Sequence, residues 1–312
     1  MLRVFKTNAS RAKTIKIKKM IPDSWIDLIE PTEKEIRMVE KATKIDVNLI
    51  RKMLDEDELP RIETSGNATM VVLDVPVKDD DGEHYLTNPI GIIVANNNFV
   101  ITVSPKAATI FDDFRANKIK EFRTAKKTRF LIQVLNIAAA EYLKVLDGVY
   151  REMEAKEDKM ATSTKNEDLL DLLATEKTLV YFTASLKENQ LVLERLSKGI
   201  VLPLFEGDAD LLEDAQIENR QAIDMADIYR KILSSMSETY STIISNNLNN
   251  IMKFLAGMTI VISVPTIISS FLGMNVPFGS LGENPMSALG LLIISIILTV
   301  ITAVILRKKN LL

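Results

Sequence analysis

The sequence contains no cysteine and a single histidine, His84. The absence of cysteine excludes disulfides, thiolate nucleophiles, iron–sulfur clusters and cysteine-zinc sites, and one histidine cannot form a histidine metal cluster. With a net charge of −3, the chain lacks the positive excess by which many proteins bind nucleic-acid backbones, so we expect no nucleic-acid partner. Residues 1–200 also contain no phosphate-binding loop and no nucleophile constellation, so the sequence does not predict an enzyme.

Charge is also missing from two long stretches near the C-terminus, residues 254–282 and 284–306. Each contains a strongly apolar run, Phe254–Leu272 in the first and Ala288–Leu306 in the second. About 20 helical residues cross a hydrocarbon core about 30 Å thick, and core helices of soluble proteins usually carry charge on a solvent side. We therefore predict two transmembrane helices in contact with membrane lipids.

Basic residues flank the two predicted spans on one side only. Lys253 precedes the first span, and Arg307, Lys308 and Lys309 follow the second, whereas the connecting loop has no lysine or arginine and one acid, Glu283. By the positive-inside rule, both termini lie in the cytoplasm and the loop lies outside. The sequence therefore predicts a multi-pass protein of the cell membrane.

The residues before the spans predict a mixed α/β region followed by long helices. Ala68–Val77 and Gly91–Val103 are β-rich apolar runs. From about Ala107 the pattern is helical, with long helices at 127–161 and 166–198. Shorter strands are predicted near Leu2–Phe5, Thr14–Lys18 and Ser24–Leu28.

A third helical pattern runs without glycine or proline from Asp208 to Gly257 and continues into the first span. If it extends from near Asp210 to Asn275, the helix has a length of roughly 100 Å, and a helix that long needs packing partners. Apolar residues recur along it at steps of three and four, which is typical of a coiled coil and favours an oligomeric bundle. They are Met225, Tyr229, Ile232, Met236, Tyr240 and Ile243.

Hydroxyl side chains form a row along one face of the first span. The row consists of Thr259, Ser263, Thr266 and Ser270, and its backward extension gives Ala256, Met252 and Asn249. Such a face either contacts water or packs closely on another helix. Two spans cannot enclose an aqueous path, so a pore requires several copies around an axis. A second row, Ser295, Thr299 and Thr302, is expected to pack against the first span.

The first span ends in Gly273-Met274-Asn275, just before a short loop and the second span. This tripeptide in this position resembles the signature of the CorA magnesium channel family. Other segments that are similar to the family cover most of the chain: Trp25–Leu28, Leu59–Glu63, Asn249–Leu255, Pro265 and the basic tail Arg307–Leu312. The resemblance implies an α+β membrane protein with a cytoplasmic α/β domain, a long helical stalk and two C-terminal transmembrane helices, assembled as a homopentamer.

The family conducts Mg²⁺, and often Co²⁺ or Ni²⁺, down the membrane potential, so the resemblance implies divalent cations as cargo. Mg²⁺ gives up water reluctantly, and a pore that moves it quickly should hold it hydrated. By resemblance, Gly273, Met274 and Asn275 form the outer selectivity ring. The Asn275 amide oxygen would accept hydrogen bonds from ion-bound water without a charge that traps the ion, and Gly273 would let the backbone turn or approach a neighbour closely.

The resemblance and the helical row together place the remaining pore lining. The predicted lining residues are Asn249, Met252, Leu255, Ala256, Thr259, Ser263, Thr266 and Ser270. Met252 and Leu255 would form an apolar constriction that gates by dewetting, or else they belong to an ordinary bundle core.

Two acids carry further implications of the resemblance. Many family members have Met-Pro-Glu in the outer loop, whereas this chain has only Glu283 there, and five copies of it would concentrate cations at the entrance. In the family, cytoplasmic Mg²⁺ also binds carboxylates between subunits and holds the channel closed. Asp214 matches one such position, but its aligned partner falls near Lys52, and Asp214 is equally explained as a solvated acid near a helix start.

The combined prediction divides the chain into seven segments. They are an α/β domain at 1–125, a helical region that packs on the stalk at 126–208, the cytoplasmic part of the pore helix at 209–253, transmembrane helix 1 at 254–275, an external loop at 276–286, transmembrane helix 2 at 287–307 and a basic tail at 308–312. Two alternatives stay open. One is a zinc transporter on the same scaffold, and the other is a membrane-anchored sensor or scaffold whose spans only tether it.

Overall fold

The computed structural model describes residues 1–8, 13–79, 82, 84–95, 98–160, 166–274, 285–309 and 311. These residues form two compact units, Met1–Met236 and Ser237–Leu312. The first contains a mixed sheet and most of the helical residues, and the second consists of apolar helix.

The sheet of the first unit has seven strands within the described ranges. They are β1 (Leu2–Asn8), β2 (Lys13–Ile17), β3 (Ser24–Ile29), β4 (Arg61–Ser65), β5 (Ala68–Lys78), β6 (Tyr85–Ala95) and β7 (Phe99–Ser104). Their spatial order is β2-β1-β3-β7-β6-β5-β4. The β3–β7 pair is parallel and the other neighbours are antiparallel. This mixed sheet, together with the long helices that follow it, confirms the predicted fold class.

Two helices lie between β3 and β4 in the sequence, and the other helices follow β7. The helices are α1 (Glu33–Thr43), α2 (Val47–Lys52), a 3₁₀ turn (Thr109–Phe111), α3 (Asp112–Arg115), α4 (Lys127–Met160), α5 (Asn166–Ser197), α6 (Asp208–Leu272) and α7 (Pro285–Lys308). Helix α1 starts at a full capping box, in which Thr32 and Glu35 each bond the other's backbone amide. The predicted helices 127–161 and 166–198 are confirmed to within one residue for the part of the chain that is described.

Each face of the sheet supports its own core. The face under α4 and α5 holds an aromatic cluster around the fully buried Trp25, whose ring lies 4.9 Å from Phe5 and 5.2 Å from Phe130 between centroids. The other face packs against α1 and α2 through Ile36 and Leu49 among others. Such packed aromatic pairs add directional preference to the burial of apolar area, so the sheet is fixed from both sides.

The β-rich run Gly91–Val103 contains parts of two strands, and the prediction of a helical pattern from Ala107 was wrong. Asn98 adopts a φ of 75° between β6 and β7, which pair antiparallel from Gly91↔Val103 to Ala95↔Phe99. Asparagine tolerates this left-handed conformation better than most residues. The chain is also not helical from Ala107, because Asn117 and Glu121 have φ values of 60° and 57° and α4 begins only at Lys127.

The predicted apolar stripe on α6 is shifted around the helix. The residues of α6 that are buried in the first unit are Asp208, Leu212, Ala215, Asn219, Ala222, Ala226 and Leu233. Asn219 Nδ2 donates to the Leu186 carbonyl and to Gln190 Oε1 of α5, both at 3.0 Å. The Tyr229 ring stacks on Tyr150 of α4 with centroids 4.9 Å apart. Much of the stripe therefore packs within one chain, and it does not by itself require a second copy.

The second unit contains two helical segments that are long and apolar enough to cross a membrane, one in α6 and one in α7. On α6 the less exposed side includes Gly257, Val261 and Pro265, and on α7 it includes Ser295 and Thr299, with Thr302 and Leu306 on the same side. Because both helices belong to one compact unit, we infer that these less exposed faces pack on each other. The row Ser295, Thr299 and Thr302 lies on the less exposed face of α7.

Candidate functional site

The predicted pore row lies on the side of α6 that faces away from α7. Asn249, Ala256, Thr259, Thr266 and Ser270 are exposed in the single chain, and Ser263 is half-buried. In the second unit this leaves a polar strip on the surface of an otherwise apolar helix. A polar strip facing hydrocarbon is unfavourable, so this face requires water or another helix.

The hydroxyl groups of the row are oriented by the helix backbone. Thr259 donates to the Leu255 carbonyl at 2.8 Å, Ser263 to the Thr259 carbonyl at 2.7 Å and Thr266 to the Ile262 carbonyl at 2.9 Å. Each hydroxyl has one proton and two acceptor lone pairs, so these bonds use the proton and leave the oxygen as an acceptor. Water bound to a cation is a strong hydrogen-bond donor, and a column of acceptors suits it.

Pro265 interrupts the hydrogen bonding of the same helix. It lies inside α6 and has no N–H, so the Val261 carbonyl loses its usual helical donor. Both residues are half-buried on the α7 side, opposite the hydroxyl row. The irregularity in the backbone therefore lies away from the polar face, which keeps its regular spacing.

Met252 and Leu255 extend the row toward the N-terminal end of the span. Their exposed fractions are 58% and 53%, so neither belongs to a core of its own chain. The alternative of an ordinary bundle core would therefore require packing between copies. The exposed apolar side chains of Met252 and Leu255 are available to form the apolar constriction that the sequence predicts.

The described part of the first span ends in a turn. Helix α6 ends at Leu272, and in the turn that follows Gly273 N–H donates to the Ser269 carbonyl at 3.0 Å. Gly273 does not have a positive φ, and a Cβ added there would meet only ordinary contacts, the nearest at 3.5 Å. Within the described residues no contact at this position requires glycine. Asn275 and Glu283 lie outside the described residues.

The candidate regulatory acid Asp214 is exposed on α6. One turn further on, burial and then the neighbouring charge of Asp214 raise the pKa of Glu218, whose Oε2 has no partner among the described residues. Lys52, at the aligned position of the missing partner, bonds Glu63 at 2.7 Å. Sequence reasoning missed Glu218, although its spacing of four residues from Asp214 places both carboxylates on one helix face. No group of three acids or histidines poised for a metal occurs in the described ranges.

A mixed α/β unit followed by two apolar helices, one with an exposed row of oriented acceptors, defines a class of protein: a two-span membrane transporter. The chain belongs to the CorA-like Mg2+ transporter protein family, which matches residues 24–308. Its family is one of transporters, so its function is transport rather than catalysis.

Individual relatives extend this result over the whole chain. The cobalt/magnesium transport protein CorA of Methanocaldococcus jannaschii is 28% identical over 295 residues, 92% of this chain and 90% of that protein. The complete CorA structure from the same organism has a TM-score of 0.85, at 24% identity, over 100% of this chain and 99% of that one. The ZntB cytoplasmic domain of Vibrio parahaemolyticus is a more distant likeness, with 12% identity, 79% of this chain and 97% of that one covered, and a TM-score of 0.59.

Proposed function

We propose that this chain is one subunit of a homopentameric channel that conducts hydrated Mg²⁺, and also Co²⁺ or Ni²⁺, across the cell membrane. The observation that carries the proposal is the exposed hydroxyl row of α6, whose protons are bonded to the helix backbone. Several copies that turn this row toward a common axis would line a watery path with acceptors. Because Mg²⁺ dehydrates reluctantly, an acceptor-lined path lets the ion keep its water.

Selectivity is assigned to the Gly273-Met274-Asn275 segment. Five Asn275 amides would form a collar that accepts hydrogen bonds from ion-bound water, and Gly273 would let neighbouring copies approach closely there. Glu283, in five copies, would concentrate cations outside the collar.

Gating is assigned to Met252 and Leu255, both exposed in the single chain. Rings of these side chains would form an apolar constriction that closes the path by excluding water, with Asn249 as a further amide ring on its cytoplasmic side. Asp214, now with Glu218 beside it, would bind internal Mg²⁺ between subunits and favour the closed state. Both termini are placed in the cytoplasm by the basic flanks of the spans.

A zinc transporter on the same scaffold is the alternative function. The fold resembles the ZntB cytoplasmic domain at a TM-score of 0.59. The identity of 12% limits that likeness to the fold. A protein whose spans only tether a sensor is disfavoured, since a tether has no use for an exposed acceptor row.

The deciding experiment measures ion uptake into proteoliposomes that contain the purified full chain. Mg²⁺, Co²⁺, Ni²⁺ and Zn²⁺ are compared side by side, and Asn275→Ala is compared with the unaltered protein. We expect Mg²⁺ uptake that collapses in the variant. Unchanged uptake by folded pentamers of the variant would contradict the proposed Asn275 collar. A cross-linking ladder that stops at the dimer would contradict the proposed pentamer. Uptake of Zn²⁺ alone would establish the alternative.

A further inference from the structure

Three carboxylates of the first unit are almost fully buried, and only two of them have a cationic partner in the described part of the chain. Asp27, 1% exposed, accepts from Arg115 Nη2 at 2.9 Å. Asp208, also 1% exposed, accepts from Arg129 Nη1 at 3.2 Å. Asp74 is 7% exposed, and its described partner is a hydroxyl, Ser185 Oγ, which donates to Oδ2 at 2.5 Å. Buried charges are normally paired or bound to metal, so Asp74 is the exception.

Asp74 is held rigidly at the edge of the sheet. The pairing of β5 with β4 ends at Arg61↔Val72, so the backbone of Asp74 has no strand partner on that side. Asn189 of α5 replaces the strand: its Oδ1 accepts from the Asp74 N–H at 3.0 Å, and its Nδ2 donates to the Asp74 carbonyl at 2.9 Å. This arrangement fixes the position of the carboxylate, as a binding site requires.

The carboxylate borders an open cavity of about 640 Å³ with an excess of acids. The lining acids are Asp74, Glu56, Asp57, Glu58, Asp79 and Glu188, against the three lysines Lys78, Lys106 and Lys177. Two of the lining acids are paired: Lys106 lies 3.0 Å from Glu56, and Arg61 pairs with Glu58. Lys78 donates to the Gly82 carbonyl at 3.1 Å, and Lys177 lies 5.7 Å from the centre of the Tyr181 ring. The lining therefore keeps an excess of negative charge after these pairs are counted.

A second side chain of the cavity lining also lacks a partner. Asn88 is 4% exposed, it lines the same cavity, and its Nδ2 has no hydrogen-bond partner in the described part of the chain. An unpaired buried amide is costly. Rotation of the amide about its last torsion exchanges Nδ2 for Oδ1, a ligand atom that divalent cations accept.

We propose that this cavity binds a divalent cation that keeps most of its water, with Asp74 as its anchoring carboxylate and Glu188 and Asn88 as outer partners. Mg²⁺ is commonly held by one or two carboxylates together with its own water, and the cavity has room for that water. The site lies within one subunit and is separate from both the α6 row and Asp214. Burial raises the pKa of Asp74 to about 6, and a bound cation would offset that cost.

The proposal is tested by hydrogen–deuterium exchange on the full chain in detergent, with MgCl₂ compared against NaCl of equal ionic strength. We expect Mg²⁺ to slow amide exchange at least twofold in peptides from β5 and from residues 177–190. The protection should be lost in Asp74→Asn, which has nearly the same shape, and kept in Asp214→Asn. Glu188→Gln provides a second variant and should require several-fold more Mg²⁺ for the same protection.

Three results would contradict the proposed site. The first is that NaCl slows amide exchange as much as MgCl₂ does, and the second is that Mg²⁺ still slows exchange fully in both Asp74→Asn and Glu188→Gln. The third is that 1,4-diaminobutane slows exchange and Mg²⁺ does not, which would assign an organic amine to the cavity instead of a metal. Uptake assays are independent of this readout, so failure here leaves the proposed transport function to its own test.

Discussion

Replacing Asp74 by asparagine should stabilise the protein in the absence of divalent cations. Burial raises the pKa of this carboxyl from 3.8 to about 6, and a difference of about 2 in pKa corresponds to about 3 kcal/mol. The folded pKa lies above the unfolded one, so between these values the folded state binds more protons. The free energy of unfolding therefore falls as pH rises from about 4 to about 6, and stays low above that.

Asparagine avoids this cost because it does not ionise and its Oδ1 still accepts from Ser185. At pH 8 we expect Asp74→Asn to raise the free energy of unfolding by about 1–3 kcal/mol. At low pH the two proteins should differ little. Two charged or titratable groups act on Asp74 from the helices packed against it: Glu188 of α5, which raises its pKa further, and Tyr142 of α4, which stays neutral because burial raises its pKa well above the usual value.

The assay is denaturant unfolding of the full chain, followed by the fluorescence of Trp25, the one tryptophan and a buried reporter of the first unit. Asp27→Asn provides the contrast, because it leaves Arg115 without its buried carboxylate partner and should destabilise the protein by about 3 kcal/mol at pH 8. Equal destabilisation by Asp74→Asn at low and high pH would refute the reasoning. Added Mg²⁺ should reduce the difference in the free energy of unfolding between the unaltered protein and Asp74→Asn.

Three further predictions concern the row, the constriction and the sheet. Thr266→Val removes one acceptor of the row and should lower Mg²⁺ uptake several-fold, whereas Thr302→Val, on the packing face of α7, should not; equal uptake in both would contradict a water-facing row. Met252→Ala should increase ion leak at high internal Mg²⁺, measured in the same liposomes, and unaltered leak would place the constriction elsewhere. Gly91→Ala places a Cβ onto the buried side chain of Met53 and should cost about 1–3 kcal/mol in unfolding experiments, an expectation that an unchanged midpoint would contradict.

The long helices and the fold class were predictable from sequence because their signals are local and long. Helical spacing persists over more than 30 residues in both α4 and α5, and the uncharged runs mark the membrane helices. The strands β6 and β7 were not separated, because both are buried on nearly every residue and therefore lack the alternation that reveals strand ends. The turn between them depends on an asparagine conformation that the sequence does not display.

The row on α6 was predictable for the same reason, since helical spacing fixes which residues share a face. The Asp74 cavity was not. Asp74 lies inside the apolar run of β5, and in the sequence a single acid in such a run looks like an exposed residue at the edge of the sheet. Its partners Ser185 and Asn189 are 111 and 115 residues away, so only the folded chain brings them together.

The buried face of α6 combines small side chains with one amide. Ala215, Ala222 and Ala226 are fully buried, and alanines form a smooth surface that resists sliding along a helix axis only weakly. Asn219 interrupts that surface and bonds two residues of α5 at once. A slide by one turn, about 5.4 Å, would break both bonds. The Asn219 amide therefore fixes the axial position of α6 relative to α5.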